Sequence, residues 1–432
     1  MSKQNNYDFS DLINSKEFLD IRNKCVEDPL FSHRQVDPLI RLMREYSIAA
    51  TDLTLVPEIA ENLGVNPKDI IHSDNSLNHY EILATHPEEH ANYGTPRVIG
   101  GRVPKAIRDR ANSVHRRPEV KSFRISGENI FVGFHLDTPM LARVEKETVY
   151  GISQALPKSY QFLNFSGGLP SEVFNSIALE VENAVFIGDS FAFWNYAHWT
   201  LDWFPRLKWI QEHCDFSKLA IVFNKKPTQF NIAMLERIGF RQENIISPDV
   251  HSPTFFVKAK TVYTTNLACE YRHSCQVGAE WSINFLRDSF LAKKQSAFDY
   301  GLRVVIMRNQ RGVTFSEVVQ RDLERRGFIF VRMHLLDHNT QVEIFSNASV
   351  IIASHGAGLS NLAFCRPGTK VLELFNNILS THAFYTVAHF GGLSYSCAVT
   401  DTLKPARSGE SIYDDCHLDA ATYFQWVDAV DL

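Results

Sequence analysis

Four groups of residues in this 432-residue chain combine side chains and spacings that could do chemistry. The first is Ser354-His355-Gly356-Ala357-Gly358-Leu359-Ser360-Asn361, which follows a short apolar run and opens a helix. Small residues there let a ligand approach the backbone, and free N–H groups at a helix start favour an anion such as a diphosphate. The same spacing suits a tight turn that holds no ligand, with His355 as a structural histidine. The second is Arg308 and Arg311, directly after the apolar strand candidate Arg303–Met307. Ligands of open α/β sheets bind at the carboxyl ends of strands, and two guanidinium groups there can fork onto phosphate oxygens. A solvated loop is the alternative. The third is Glu373 within Lys370–Phe375, a carboxylate that must be paired if it is buried. It could take hydrogen bonds from ribose hydroxyls, or look at water. The fourth is His198, Asp202 and Arg206, spaced four apart so that a helix would align them on one stripe. A His–Asp pair can orient a proton acceptor, as general-base chemistry requires; from these residues alone, an aromatic core helix with a surface ion pair is the favoured reading.

These groups need elements to hold them. The chain alternates strand and helix candidates from about Ala184: Ala184–Ile187, a long aromatic helix from Tyr196 to His213, Leu219–Phe223, a helix over Gln229–Ile238, Ile245–Ile246, Thr261–Thr264, and a helix over Glu280–Ala292. Pro205 should kink that aromatic helix. A second, cleaner series follows: strand Arg303–Met307, a helix opened by Thr314 and Glu317, strand Phe328–Arg332, a helix opened by Thr340 and Glu343, strand Val350–Ala353, helix Leu359–Phe364 and strand Lys370–Phe375. Such alternation predicts parallel sheets with crossover helices. Short β-like runs lie at Asn129–Phe134 and Thr148–Ile152. Residues 1–95 read as mostly helical, with helices at Pro38–Tyr46 and Pro57–Leu63. The expected organisation is a helical region over 1–95, Rossmann-like domains over 96–295 and 296–405 facing a cleft, and a helical tail over 406–432.

Composition narrows the classes. A net charge of -5 disfavours a nucleic-acid partner, and the six basic residues between Arg102 and Arg117 read as a solvated face. No apolar run is long enough for an integral membrane segment, and the polar start lacks a secretory signal. Seven cysteines with no CxxC pair suggest neither a disulfide framework nor a zinc ribbon. GxxxxGK[ST], HExxH, GxSxG and Asp-x-Asp motifs are absent. His334 and His338 fall across a strand-to-helix junction and read as non-ligands.

Taken in order, the segments resemble a known family. Tyr196-Ala-His198-Trp-Thr-Leu-Asp202-Trp-Phe-Pro205-Arg206-Leu207 is similar to the His-Trp…Pro-Arg-Leu block of glycosyltransferase family 61. Arg308…Arg311, Arg326-Gly327-Phe328, Gln341-Val342, His355-Gly-Ala-Gly-Leu-Ser-Asn361, Pro367-Gly368 and Val371-Leu372-Glu373-Leu374 follow in that family's order. The resemblance implies a GT-B-like α/β architecture and an inverting transfer from a nucleotide sugar, UDP-linked by preference, without cofactor or metal. It places Arg308, Arg311, His355, Gly356, Ala357, Gly358, Asn361 and Glu373 at the donor. Asp202 and His198 would be catalytic, with Asn195 and Arg206 on the acceptor side. The acceptor would be a glycan or other hydroxyl in surface polysaccharide synthesis by a bacterial-type, cytoplasmic enzyme, peripheral at most to the inner membrane face. A non-catalytic glycan- or protein-binding module on the same scaffold is the alternative. A nucleotide-sugar epimerase or phosphorylase is a further one. Oligomeric state stays open.

Overall fold

The computed structural model describes residues 16, 19–20, 72–73, 80–87, 89–112, 114–117, 119–135, 138–145, 148–151, 172–175, 177, 179–186, 195–223, 225–250, 252, 254–265, 280–291, 299–376, 381–400 and 415–432. The helices expected at 38–46 and 57–63, and the boundary expected near residue 295, lie outside these residues.

In chain order the first strands are β1 (His72–Ser73), β2 (Tyr80–His86), β3 (Glu89–Asn92), β4 (Arg97–Ile99), β5 (Val114–Arg117) and β6 (Val120–His135). Next come β7 (Thr138–Glu145), β8 (Thr148–Gly151), β9 (Glu180–Phe186), β10 (Ala220–Val222), β11 (Ile245–Ile246) and β12 (Phe255–Thr265). The later ones are β13 (Leu302–Met307), β14 (Val313–Phe315), β15 (Phe328–Arg332), β16 (Ala348–Ser354), β17 (Lys370–Phe375), β18 (Ser394–Val399) and β19 (Cys416–Leu418). Helices are α1 (Lys105–Ala111), α2 (Glu172–Asn175), α3 (Lys208–Gln211), α4 (Gln229–Arg237), α5 (Glu280–Leu291), α6 (Glu317–Arg325), α7 (His338–Asn347), α8 (Ala383–Gly391) and α9 (Ala420–Val430).

The chain is α/β with two large sheets. The first has the order β1-β8-β7-β6-β12-β9-β10-β11, with β2 against β6. It is mixed rather than parallel throughout. β12, β9, β10 and β11 pair in parallel, whereas β6 pairs antiparallel with β12, β7 and β2. Residues 80–92 therefore depart from the helical expectation, because β2 finds its partner along the 16-residue β6.

The second sheet has the order β15-β13-β16-β17-β18-β4, and every pair is parallel. Its inner strands are apolar on both faces, as strands covered by helices on both sides must be. Counted from β13, the first five strands lie in the order 2-1-3-4-5, so the chain reverses direction across the sheet between β13 and β16. Two pieces from outside the 296–405 range complete this unit. β4 pairs with β18, and β19 pairs with β14. Residues 415–432 thus form a strand and a helix rather than a purely helical tail.

Three local expectations are corrected. Residues 196–213 do not form one helix. A π-helical turn covers His198–Trp203, a 3-10 turn covers Phe204–Leu207, and α3 follows. Pro205 offers no N–H to an α-helical ladder, and the Phe204 N–H bonds Trp199 five residues back. Thr314 lies in β14, so Ser316 rather than Thr314 precedes α6. Asp337, not Thr340, caps α7, accepting from the Thr340 N–H at 2.9 Å.

One buried cluster ties both sheets together. Helix α5 is the bridge. Phe285 and Phe290 meet Phe204 at centroid distances of 5.8 Å, and Phe290 meets Phe364 at 5.4 Å. Arg287 of the same helix donates to the carbonyls of Ala363 (3.1 Å), Cys365 (2.5 Å) and Gly391 (2.9 Å). Among the described residues no helix is long and apolar enough to cross a membrane.

Candidate functional site

In an open α/β sheet, the crevice at the reversal of strand order is where ligands bind, outside the carboxyl ends of the strands. Here that point lies between β13 and β16. Arg308 follows β13, and His355-Gly-Ala-Gly358 follows β16. The two loops touch: Arg308 Nη1 donates to the His355 carbonyl at 2.6 Å. A Cβ on Gly356 would overlap the Arg308 guanidinium, so this glycine is what lets the arginine lie on the loop. The 308–312 turn is tight. Arg311 has φ +53°, Ser354 Oγ donates to its carbonyl, and Gly312 N donates to Asp415 Oδ1 at 2.6 Å. Burial, and then the Arg311 charge, pull the Arg308 guanidinium below its ordinary value, while Cys416 acts the other way. Two crowded cations at a sheet's reversal point are suited to an anion.

A cavity of about 880 Å³ opens beside these loops. Arg308, Ala357 and Gly358 line one wall, and Tyr196, Phe230 and His338 another. This volume suits a small-molecule site. Tyr196 links the first half of the chain to the second. Its hydroxyl donates to Asn361 Oδ1 at 2.5 Å and lies 3.2 Å from His338 Nδ1. Burial raises the Tyr196 hydroxyl, which stays a donor. Asn361 Nδ2 donates onward to Gln341 at 3.1 Å and to the Gly358 carbonyl at 3.2 Å. Asn361 is fully buried, so it shapes the loop from behind.

His198 and Asp202 do meet, with Nδ1 2.7 Å from Oδ2. Arg206 donates to the Asp202 carbonyl at 2.6 Å and lies 3.9 Å over the Trp203 ring. Asn195 caps the turn, its side chain accepting from the N–H groups of Ala197 and His198 at 3.0 and 3.4 Å. Glu373 is not on an open face. It is 1% exposed, and both oxygens are engaged, by His355 Nδ1 and by the Tyr395 hydroxyl, each at 2.6 Å. This places it behind His355, where neighbouring β18 brings Tyr395 against it.

Sequence reasoning missed Tyr196 and His338 as cavity residues, and Asp415 and Arg287 as supports. Only Tyr196 left a trace, as the start of the aromatic block. Among the described residues no three His, Cys, Asp or Glu side chains gather in a way that could hold a metal ion.

Burial lowers His338 to about 4, opposed by Asp337. The folded chain therefore declines a proton that the unfolded chain accepts between about pH 6.5 and 4. This contribution is complete above about pH 6.5 and is lost as pH falls through that window. From pH 7 to pH 5 it should remove about 2 kcal/mol of stability. Urea unfolding of the wild type and of His338→Gln at both pH values tests this. The variant should show the shallower pH dependence, and equal slopes would refute it.

Comparison with known proteins bears on the same segments. The family described as Glycosyltransferase 61 matches residues 196–372. A β-1,2-xylosyltransferase of Oryza sativa subsp. japonica is 34% identical over 67 residues, which are 16% of this chain and 12% of that protein. This chain thus covers only a small part of that relative's length.

Proposed function

We propose, from the match of residues 196–372 to the family described as Glycosyltransferase 61, that the chain is an inverting glycosyltransferase. It moves a sugar from a nucleotide sugar, preferably UDP-linked, to a hydroxyl of a glycan acceptor. The two sheets act as the lobes of a GT-B-like arrangement. The observation that carries this reading is Arg308 laid across the His355–Gly358 loop where the strand order reverses, beside a cavity of ligand size.

The acceptor oxygen attacks the anomeric carbon from the face opposite the diphosphate. The new carbon–oxygen bond forms as the bond to the phosphate oxygen breaks, and the nucleoside diphosphate departs with the electron pair. Arg308 and Arg311 offset the charge growing on it, which is stabilisation placed where charge develops. In this mechanism the arginines take that role and no metal is required. The acceptor's proton passes to the His198–Asp202 pair. Asp202 is the deeper of the two side chains, 5% exposed against 15%, so it orients His198 and His198 takes the proton.

A thermal-shift titration of the wild type with UDP, GDP, CDP, CMP and ADP tests the reading. One nucleoside diphosphate should stabilise selectively, by about 2.7 kcal/mol at a hundredfold excess over its dissociation constant. Stabilisation by none would turn the assignment toward a binding module without a donor site.

A further inference from the structure

The family match ends at residue 372, one residue before Glu373. Resting on the donor site proposed above, we propose that Tyr395, Glu373 and His355 form a hydrogen-bonded chain that presents the second ring nitrogen of His355 to the terminal phosphate of the donor nucleotide. In this chain Glu373 is a positioning residue rather than a ligand of the ribose.

The geometry leaves His355 little freedom. Its N–H donates to the Leu374 carbonyl at 2.9 Å, and its own carbonyl holds Arg308. Its ring stacks on Phe375 (5.4 Å, 22°) and tilts against Phe384 (5.0 Å, 41°). Nδ1 lies 2.6 Å from Glu373 Oε1. Tyr395 settles the direction of the bond at Oε2. Burial and the Glu373 charge push its hydroxyl far up, so it keeps its proton and donates to Oε2. On the other oxygen, Oε1, the proposed chain has His355 Nδ1 as the donor. No described residue bonds the other ring nitrogen, Nε2, and the imidazole retains partial exposure, 14%.

Glu373 sits in the apolar strand β17, where a buried carboxylate needs compensation. Hydrogen bonds from Tyr395 and His355 supply it, and in the proposed chain Nε2 also bears a hydrogen. A phosphate oxygen only accepts. With Arg308 bonded to the same residue's carbonyl, the guanidinium and the imidazole serve one anion. No proton is transferred; the ring donates a hydrogen bond throughout the step.

Calorimetric titration with UDP and with UMP tests this, using wild type, His355→Gln, Glu373→Gln and the double variant. If guanosine is the base selected by the thermal-shift titration, GDP and GMP replace them. Each single variant should weaken UDP about ten- to hundredfold, as for loss of a charge-assisted hydrogen bond, and change UMP by no more than about twofold. The double variant should bind UDP about as His355→Gln does, since both act through one bond. Parallel loss of UDP and UMP, or wild-type UDP binding by Glu373→Gln, overturns the proposal. If Glu373→Gln fails to fold, Tyr395→Phe removes only the outer bond. It should lower the preference for UDP over UMP several-fold, and an unchanged preference overturns the proposal. Wild type that binds no nucleoside diphosphate overturns the donor site itself, a distinct result.

Discussion

Replacing His198 with alanine should lower sugar transfer at saturating donor by about 10²–10⁴-fold, the usual contribution of a general base. The dissociation constant of the nucleotide should change by no more than about twofold. The reason is spatial as well as chemical. His198 and Asp202 bond each other at 2.7 Å on the π-helical turn, and neither lines the cavity beside Arg308. Asp202→Asn should show the same split between turnover and binding. It keeps the side-chain volume but loses the negative charge that, in the proposed mechanism, stabilises the imidazolium formed on proton transfer. Steady-state kinetics with product analysis checks both. Unchanged turnover in His198→Ala would remove the pair from the mechanism, and equal losses in turnover and nucleotide affinity would make it structural.

Gly356→Ala should weaken nucleoside diphosphate binding about ten- to hundredfold with little change in melting temperature. The added methyl would occupy the space of the Arg308 guanidinium. Gly356 has φ 164° and ψ 167°, extended backbone that alanine adopts without strain. The overlap falls on the far end of a long side chain, which can swing away. Folding loses little, whereas the site loses an aligned cation, and a hydrogen bond to a charged group contributes about 1.5–3 kcal/mol. Arg308→Ala should produce the same deficit, and adding Gly356→Ala to it should produce no further loss. Calorimetry on the three variants decides the matter. Wild-type affinity in Gly356→Ala, or additive losses, would mean that Arg308 does not act through this loop.

The sequence by itself determined the elements whose signals are local. Apolar runs bounded by Gly and Pro mark β13, β15, β16 and β17 to within a residue or two. Four-residue spacing brings His198 to Asp202 even though the turn is π rather than α. Strand ends likewise carry Arg308 and His355, since a loop begins where the apolar run stops. Tertiary structure alone decided what depends on partners far along the chain. Residues 97–99 pair with a strand almost 300 residues later, and Asp415 closes the turn at Gly312. Such pairings leave no period or spacing to read. The role of Glu373 shows the limit most directly. Alternation along a strand says that a side chain faces one side or the other, but not what the neighbouring strand and loop put there. Tyr395 and His355 each bond one of the Glu373 oxygens, contacts that no spacing along the strand announces.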